Sequence, residues 1–106
     1  MRPLLLGFLA LAPLAAAPQT FTGVITDSMC DDGDHSRMKM GSTDAECTIA
    51  CINAHGASYV LWDGKHSYTL SDQNTPEKFA GKRVKVAGTL DANTKTIQVK
   101  SIAEAK

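Results

Sequence analysis

The residues of this sequence that could do chemistry are concentrated in one segment, residues 29–55. All three cysteines lie there, with two of the three histidines and three of the four methionines: Cys30, Cys47, Cys51, His35, His55, Met29, Met38 and Met40. Thiolate and imidazole are the ligands that proteins use for structural zinc. Thiolate and thioether sulfur favour Cu(I). The segment is therefore a candidate transition-metal or redox site.

The predicted metal ligands are three sulfurs and one imidazole: Cys30, His35, Cys47 and Cys51. Cys47 and Cys51 are four residues apart, a spacing that puts both on one face of a helix. Cys30 and His35 would come from the preceding loop, and a bound ion would hold that loop in place. Zinc suits the set because it prefers four nitrogen and sulfur donors in a tetrahedron. Copper suits it because Met38 and Met40 flank the site. The spacing is not that of a standard zinc finger, so the sequence predicts zinc or copper without deciding between them.

A disulfide is the alternative use of the same cysteines. Exported proteins lie in oxidising compartments, where disulfides persist. Cys30 would bridge to Cys47 or to Cys51, and closing a loop of this length would stabilise the fold by about 3 kcal/mol. Cys47 and Cys51 are poor partners for each other, because their Cβ atoms point the same way on a helix. Either bridge leaves one thiol over for a metal, a partner chain or a buried position.

The other polar residues of the chain give weaker patterns. The acidic loop at Asp31, Asp32 and Asp34 does not have the spacing of an EF-hand, so we predict no calcium site. His55 lies at the predicted helix C-terminus, where the helix dipole favours a histidine. His66 is expected to face solvent from a strand. The cysteine pair lacks the Cys-x-x-Cys spacing of thioredoxin-like redox proteins. We predict no enzymatic activity.

The elements that must position this segment are the strands of one small β domain, predicted at 20–103. A stretch rich in β-branched and aromatic residues predicts the first strand at 21–26. Residues 29–56 then form an insertion after that strand, with a polar loop followed by a helix. The insertion would carry the one special site of the domain.

The helix of the insertion is predicted at about residues 44–54. Thr43 and Glu46 match a capping box, in which Thr43 caps the helix and Glu46 reaches back to it. Gly56 suits the left-handed conformation just past the helix end. The cysteine-bearing face of this helix would lie back over the loop.

The remainder of the chain predicts two hairpins. One spans residues 58–70 with Asp63-Gly64 as a two-residue type I′ turn, and the other spans 83–102. Thr75-Pro76 would open a short helix between them. Five strands with a small helix between the third and fourth predict a mainly β fold, a five-stranded antiparallel OB-like barrel. A small half-open sandwich is the alternative.

The N-terminus predicts export. Arg2 precedes a charge-free apolar run at residues 4–17. This run has the length of a signal-peptide core and is too short to span a membrane. We therefore predict a signal peptide at residues 1–17 and a periplasmic or secreted protein. No later apolar run is long enough to span a membrane after the signal is removed.

Charge argues against nucleic acid as a partner. The chain has 11 basic and 11 acidic residues, and removal of Arg2 with the signal would leave a net charge of about −1. No basic stripe is present to neutralise phosphates. Tyr59, Trp62 and Tyr68 could instead form a β face that binds a protein partner or a glycan, as OB-type domains do. A disulfide-stapled interaction module of the cell envelope is thus the alternative to a metal-binding protein. The sequence does not indicate the oligomeric state.

Several stretches resemble a family of small exported bacterial proteins, described mainly as a domain of unknown function and frequent in acidobacteria and related soil bacteria. The resemblance rests on Gly-Val-Ile-Thr-Asp-Ser-Met-Cys at 23–30, His35 and Cys-x3-Cys at 47–51. It continues in Tyr-Val-Leu at 59–61, Tyr-Thr-Leu-Ser-Asp at 68–72 and residues 79–90. It implies export and a small β-rich fold, without an activity. In the family pattern a Gly follows the first Cys, and three residues separate this Cys from the His. Here Asp31 follows Cys30, and four residues separate Cys30 from His35.

Overall fold

The computed structural model describes residues 18–105, and the signal peptide predicted at 1–17 lies outside them. The fold is mainly β with one short α-helix, as predicted. Its elements follow in the order β1 (Gln19–Asp27), α1 (Asp44–His55), β2 (Tyr59–Trp62), β3 (Ser67–Leu70), a 3-10 helix (Thr75–Phe79), β4 (Arg83–Asp91) and β5 (Thr96–Glu104). Neither helix in this part of the chain is long and apolar enough to cross a membrane.

The five strands form one mixed sheet that closes on itself. β1 pairs antiparallel with both β2 and β4, and the β2–β3 and β4–β5 pairs are also antiparallel. β3 and β5 complete the ring as a parallel pair, giving the order β1-β2-β3-β5-β4. The prediction of a wholly antiparallel sheet is therefore wrong at one pair. An odd number of strands in a closed ring cannot alternate in direction throughout, so one parallel pair is unavoidable. The half-open alternative is also wrong, since every strand has two neighbours.

β1 closes the ring by pairing with two different strands along its length. Its first part pairs with β4 and its last part with β2, and Val24 has a partner in each. At the preceding residue, Gly23, a Cβ atom would lie 2.3 Å from the carbonyl oxygen of Trp62. Only glycine lets the two strands approach this closely. Thr26 and Asp27, at the end of β1 that pairs with β2, are fully buried.

The core inside the ring is apolar. Alternate strand residues face inward, and the largest of them are at most 1% exposed: Ile25, Leu61, Leu70, Val84, Val86 and Ile97. Ile49 and Ile52 of α1 pack against this core. The helix is thereby fixed on the sheet with Cys47 and Cys51 buried.

The connection between β2 and β3 is longer than predicted. Trp62 pairs with Ser67, so four residues form the loop in place of the expected two. The carboxylate of Asp63 accepts hydrogen bonds from the N–H groups of Lys65 (2.8 Å) and His66 (2.6 Å). This side-chain turn replaces the type I′ turn. His66 is exposed, as expected, but lies in the loop rather than in a strand.

Both caps of α1 are confirmed, with one difference in detail. Thr43 Oγ1 accepts a hydrogen bond from the Glu46 N–H at 3.1 Å. Gly56 adopts the left-handed conformation with φ 68°. The Glu46 carboxylate, however, accepts from the N–H and hydroxyl of Ser42, both at 2.8 Å, and not from Thr43. These hydrogen bonds lower the pKa of Glu46 and tie the loop to the helix.

Replacing Thr43 with alanine removes the acceptor that caps α1. We expect the free energy of unfolding to fall by about 1 kcal/mol, the usual cost of losing such a cap. Chemical denaturation followed by circular dichroism measures this change. Thr43→Ser keeps the hydroxyl and should stay close to the parent. Equal losses in the two variants would contradict the capping role.

Candidate metal centre

The candidate site lies where the end of β1 meets the buried face of α1. Cys30 follows β1, and Cys47 and Cys51 come from α1; all three side chains are at most 1% exposed. His35, from the loop between these elements, is 8% exposed. Three thiols and an imidazole are thus withdrawn from solvent together. The spacing predicted that Cys47 and Cys51 share one face of a helix, and both lie on the buried side of α1.

Three of the four predicted ligands converge. Cys30, His35 and Cys47 each place a ligand atom within 4.8 Å of the other two. Tetrahedral sites with bonds of about 2.0–2.3 Å place their ligand atoms roughly 3.5 Å apart. A small inward movement would therefore let all three bind one ion. No other group of histidine, cysteine or acidic side chains within residues 18–105 converges in this way.

Cys51 lies outside this group of three. It is one helical turn beyond Cys47, fully buried, and its thiol lies beside that of Cys47. His55, a further turn along, is exposed and takes no part in the cluster. Of the nearby methionines, Met29 is 40% exposed, and Met38 and Met40 are half-buried.

The cysteines carry no disulfide. Cys30, Cys47 and Cys51 are all free thiols. The alternative bridges, from Cys30 to Cys47 or to Cys51, are therefore not formed in this structure. The fold holds the loop against the helix by hydrogen bonds and packing instead.

Burial keeps two of these thiols protonated. Desolvation, reinforced by the nearby Asp27 carboxylate, raises the pKa of Cys30 to about 11 and that of Cys51 to about 12. The thiolate is the form that binds metal and attacks disulfides. A metal ion entering this site must therefore displace protons.

Asp27 is a site residue that the sequence analysis missed. Its Oδ1 accepts hydrogen bonds from the N–H groups of Met29 (2.9 Å) and Cys30 (3.0 Å). These bonds turn the chain at the end of β1 and set the position of Cys30. The pattern that could have revealed it is an aspartate just after a strand, where its side chain commonly closes a turn.

Thr26 orients the imidazole of His35. The Thr26 hydroxyl donates to the carbonyl oxygen of Cys30 at 2.8 Å. Its oxygen lies 3.3 Å from His35 Nε2 and must act there as the acceptor, which puts the ring proton on Nε2. Nδ1 has no hydrogen-bond partner and is therefore the nitrogen free to bind a metal.

Two buried polar atoms face each other beside the thiols. His35 Nδ1 lies 3.9 Å from Asp27 Oδ2, and neither atom has a hydrogen-bond partner. An unsatisfied buried polar group costs about 1–3 kcal/mol. A cation at this point would be attracted to both atoms. This pair is the clearest electrostatic indication of a ligand in the part of the chain that the structure describes.

The Cys47 sulfur has a donor of its own. The backbone N–H of Met40 points to Cys47 Sγ at 3.4 Å. The loop that supplies His35 is therefore also tied directly to Cys47.

The site borders solvent on one side. A pocket of about 470 Å³ has His35 and Cys47 in its wall. Polar residues that include Asp34, Ser36 and Lys39 form much of the remainder. Cys30 and Cys51 do not border the pocket. The pocket thus meets the cluster only at the residues His35 and Cys47.

The three aromatic residues predicted to form a binding face do not share one. Tyr59 is 2% exposed and belongs to the core. Tyr68 is half-buried and packs against Phe21 with ring centroids 5.6 Å apart. Trp62 is half-buried against the backbone of Gly33, in the loop between Cys30 and His35. The single tryptophan is thus a reporter of that loop.

The raised thiol pKa values predict that the metal-free protein loses stability at alkaline pH. Unfolded thiols ionise near pH 8.5–9, whereas Cys30 and Cys51 stay protonated up to about 11 and 12. The folded state therefore binds more protons above pH 9, and the free energy of unfolding falls as pH rises toward 11. Denaturation of chelator-treated protein at pH 7, 9 and 10 measures this. A Cys30→Ser/Cys51→Ser variant should show a shallower fall, and an equal fall in both would contradict the assignment.

The comparisons with known proteins address the strands more than the site. No curated protein and no solved structure shows significant similarity to the chain. One family profile matches residues 52–105, from the last turn of α1 through β5, and leaves the four predicted ligands outside the match. Its description is "protein of unknown function (DUF5818)". Because this match covers about half of the chain, the protein belongs to that family of unknown function.

Proposed function

We propose that this protein binds one transition-metal ion, zinc or copper, through Cys30, His35 and Cys47. The observation that carries the proposal is the meeting of two buried thiols with an imidazole whose Nδ1 has no partner. A bound cation would satisfy that lone pair and neutralise part of the charge on Asp27. Cys51, predicted as a fourth ligand, lies close enough to Cys47 to stay a candidate for that role.

The setting proposed for this site is an exported, non-enzymatic protein. The apolar run at residues 4–17 supports export to the periplasm or beyond. The strand order, and a short helix between β3 and β4, support an OB-like barrel. The insertion at residues 29–56 then carries the metal. Buried thiols and an imidazole are metal ligands by type, so metal binding is the role that this cluster supports best.

Both candidate metals are consistent with the donors. Zinc favours tetrahedral sites of thiolate and imidazole. Among divalent first-row metals, Cu(II) binds a given set of protein ligands most tightly, and Cu(I) favours thiolates. Ligand type alone does not separate them, so the ion has to be identified by analysis.

Metal content of the natively exported protein tests the proposal. We expect about one zinc or copper per chain after purification without a chelator or a histidine tag. His35→Ala and Cys47→Ser should each reduce the content at least about tenfold, because each removes a ligand. Elemental analysis by mass spectrometry measures it. His55→Ala, which removes an exposed histidine on the same helix, is the matched control.

Two outcomes of that analysis would contradict the proposal. One is the absence of metal together with one free thiol per chain, which would favour a disulfide-stapled interaction module. The other is equal metal loss in the His35 and His55 variants. Circular dichroism on each variant separates loss of a ligand from loss of fold.

Metal affinity should fall steeply as the solution becomes more acidic. Coordination by two thiols releases two protons, so the apparent affinity should fall about a hundredfold per pH unit below neutrality. Competition with a chromophoric chelator at pH 6, 7 and 8 measures this slope, with Trp62 fluorescence as an independent reading. A slope near tenfold would show that only one thiol binds.

A further inference from the structure

The unpaired oxygen of Asp27 lies beside the imidazole of the metal centre. We propose that Asp27 Oδ2 is the fourth ligand, added to Cys30, His35 and Cys47, and that this carboxylate makes the site selective for divalent zinc over Cu(I). The inference rests on the proposed function and specifies the remaining ligand and the metal of the same site.

The Asp27 carboxylate and the His35 imidazole meet at their two unpartnered atoms. Asp27 Oδ2 lies 3.9 Å from His35 Nδ1, and both atoms are buried. Oxygen and nitrogen donors on one tetrahedral zinc ion lie about 3.4 Å apart, because their bonds are about 2.0–2.1 Å long. An inward movement of about half an ångström would therefore let one ion contact both atoms.

Hydrogen bonds hold both groups in place from their other atoms. Asp27 Oδ1 accepts from the N–H groups of Met29 and Cys30, which fixes the carboxylate with Oδ2 near the imidazole. On the imidazole, Nε2 lies 3.3 Å from the Thr26 hydroxyl, which leaves Nδ1 of His35 toward Asp27. Neither Oδ2 nor Nδ1 has to give up a hydrogen bond to bind an ion. Donors fixed in advance bind without the cost of ordering them.

The charge of Asp27 favours its direct coordination. Asp27 and Cys51 both flank the three converging ligands, and neither belongs to that group. Asp27 is fully buried, and no lysine or arginine within residues 18–105 lies within 4.0 Å of its carboxylate. A buried charge needs a counter-charge or a metal. Coordination by Asp27 supplies that counter-charge, whereas a third thiolate on the ion would leave the carboxylate beside a more negative centre.

The resulting set of donors distinguishes the two candidate metals. Two thiolates and one carboxylate carry three negative charges, which a divalent ion reduces to one and Cu(I) only to two. Each uncompensated buried charge is costly. Cu(I) also favours sulfur donors, whereas zinc accepts carboxylate oxygen. We therefore expect the site to hold zinc.

Competition titrations of zinc and of Cu(I) test the inference on the full exported chain, with Asp27→Asn as the variant. Asparagine keeps an acceptor for the N–H groups of Met29 and Cys30 and lacks the charge. We expect the zinc dissociation constant to rise at least about tenfold, the smallest loss usual even for outer partners of a metal site. The Cu(I) constant should change by less than about threefold, because Cu(I) depends on the sulfur donors.

Asp34→Asn is the matched control for this variant. The exposed Asp34 carboxylate also accepts a backbone N–H, from Ser36 at 2.9 Å, and asparagine keeps that acceptor. Because solvent and salt screen an exposed charge, both metal constants should stay within about twofold of the parent.

Spectroscopy of the zinc-loaded parent separates a ligand from a neighbouring charge. X-ray absorption should count two sulfur ligands and two nitrogen or oxygen ligands on each zinc. Nitrogen NMR of the histidine rings should show zinc on Nδ1 of His35. Three sulfur ligands would assign the fourth position to Cys51 and overturn the inference. Zinc on Nε2, with the Nδ1–H group donating to Asp27, would overturn it as well.

The remaining outcomes keep the two proposals apart. Unchanged zinc affinity in Asp27→Asn, or copper in place of zinc in the natively exported protein, would overturn the role of Asp27 and leave metal binding intact. Absence of zinc and copper binding by the parent would overturn both proposals. If Asp27→Asn fails to fold by circular dichroism, the sulfur count and the histidine spectrum of the parent decide.

Discussion

The structure depends on β1 holding both edges of the sheet. One strand of nine residues pairs with β4 along its first part and with β2 along its last, and the ring closes only because it can change partner. Gly23 makes this change possible, since any side chain there would collide with the backbone of Trp62. Past that point β1 runs beneath α1, and its final residues are buried there. The closure of the sheet and the position of the site are thus consequences of the same strand.

The site is a small polar region at the edge of an apolar core. Thr26 and Asp27 come from β1, and their hydrogen bonds fix Cys30 and the ring of His35. Asp27 uses one oxygen for the turn and leaves the other unpaired near His35. Buried charges are usually paired or bound to metals, because an isolated one is costly. A cation bound beside Asp27 and His35 would therefore be electrostatically favoured.

The parts of the structure that local sequence could predict are those that local chemistry determines. The caps of α1 follow from Thr43 and Gly56, and the shared burial of Cys47 and Cys51 follows from helical spacing. The parallel β3–β5 pair could not be predicted from the strands themselves, because it depends on whether the sheet closes. The loop after Trp62 was missed because the Asp63 side chain competes with the backbone turn. Asp27 was missed because a polar residue at a strand end is usually exposed, whereas here it is fully buried.

The apolar core and the polar cluster are separate parts of the structure. The large apolar residues of the ring come from the strands, and none of them is a candidate ligand. Small zinc domains often unfold when they lose their ion, because the ion supplies their folding energy. In this chain the apolar ring supplies that energy itself. Because no candidate ligand belongs to that core, we expect the fold to persist when the polar cluster holds no ion.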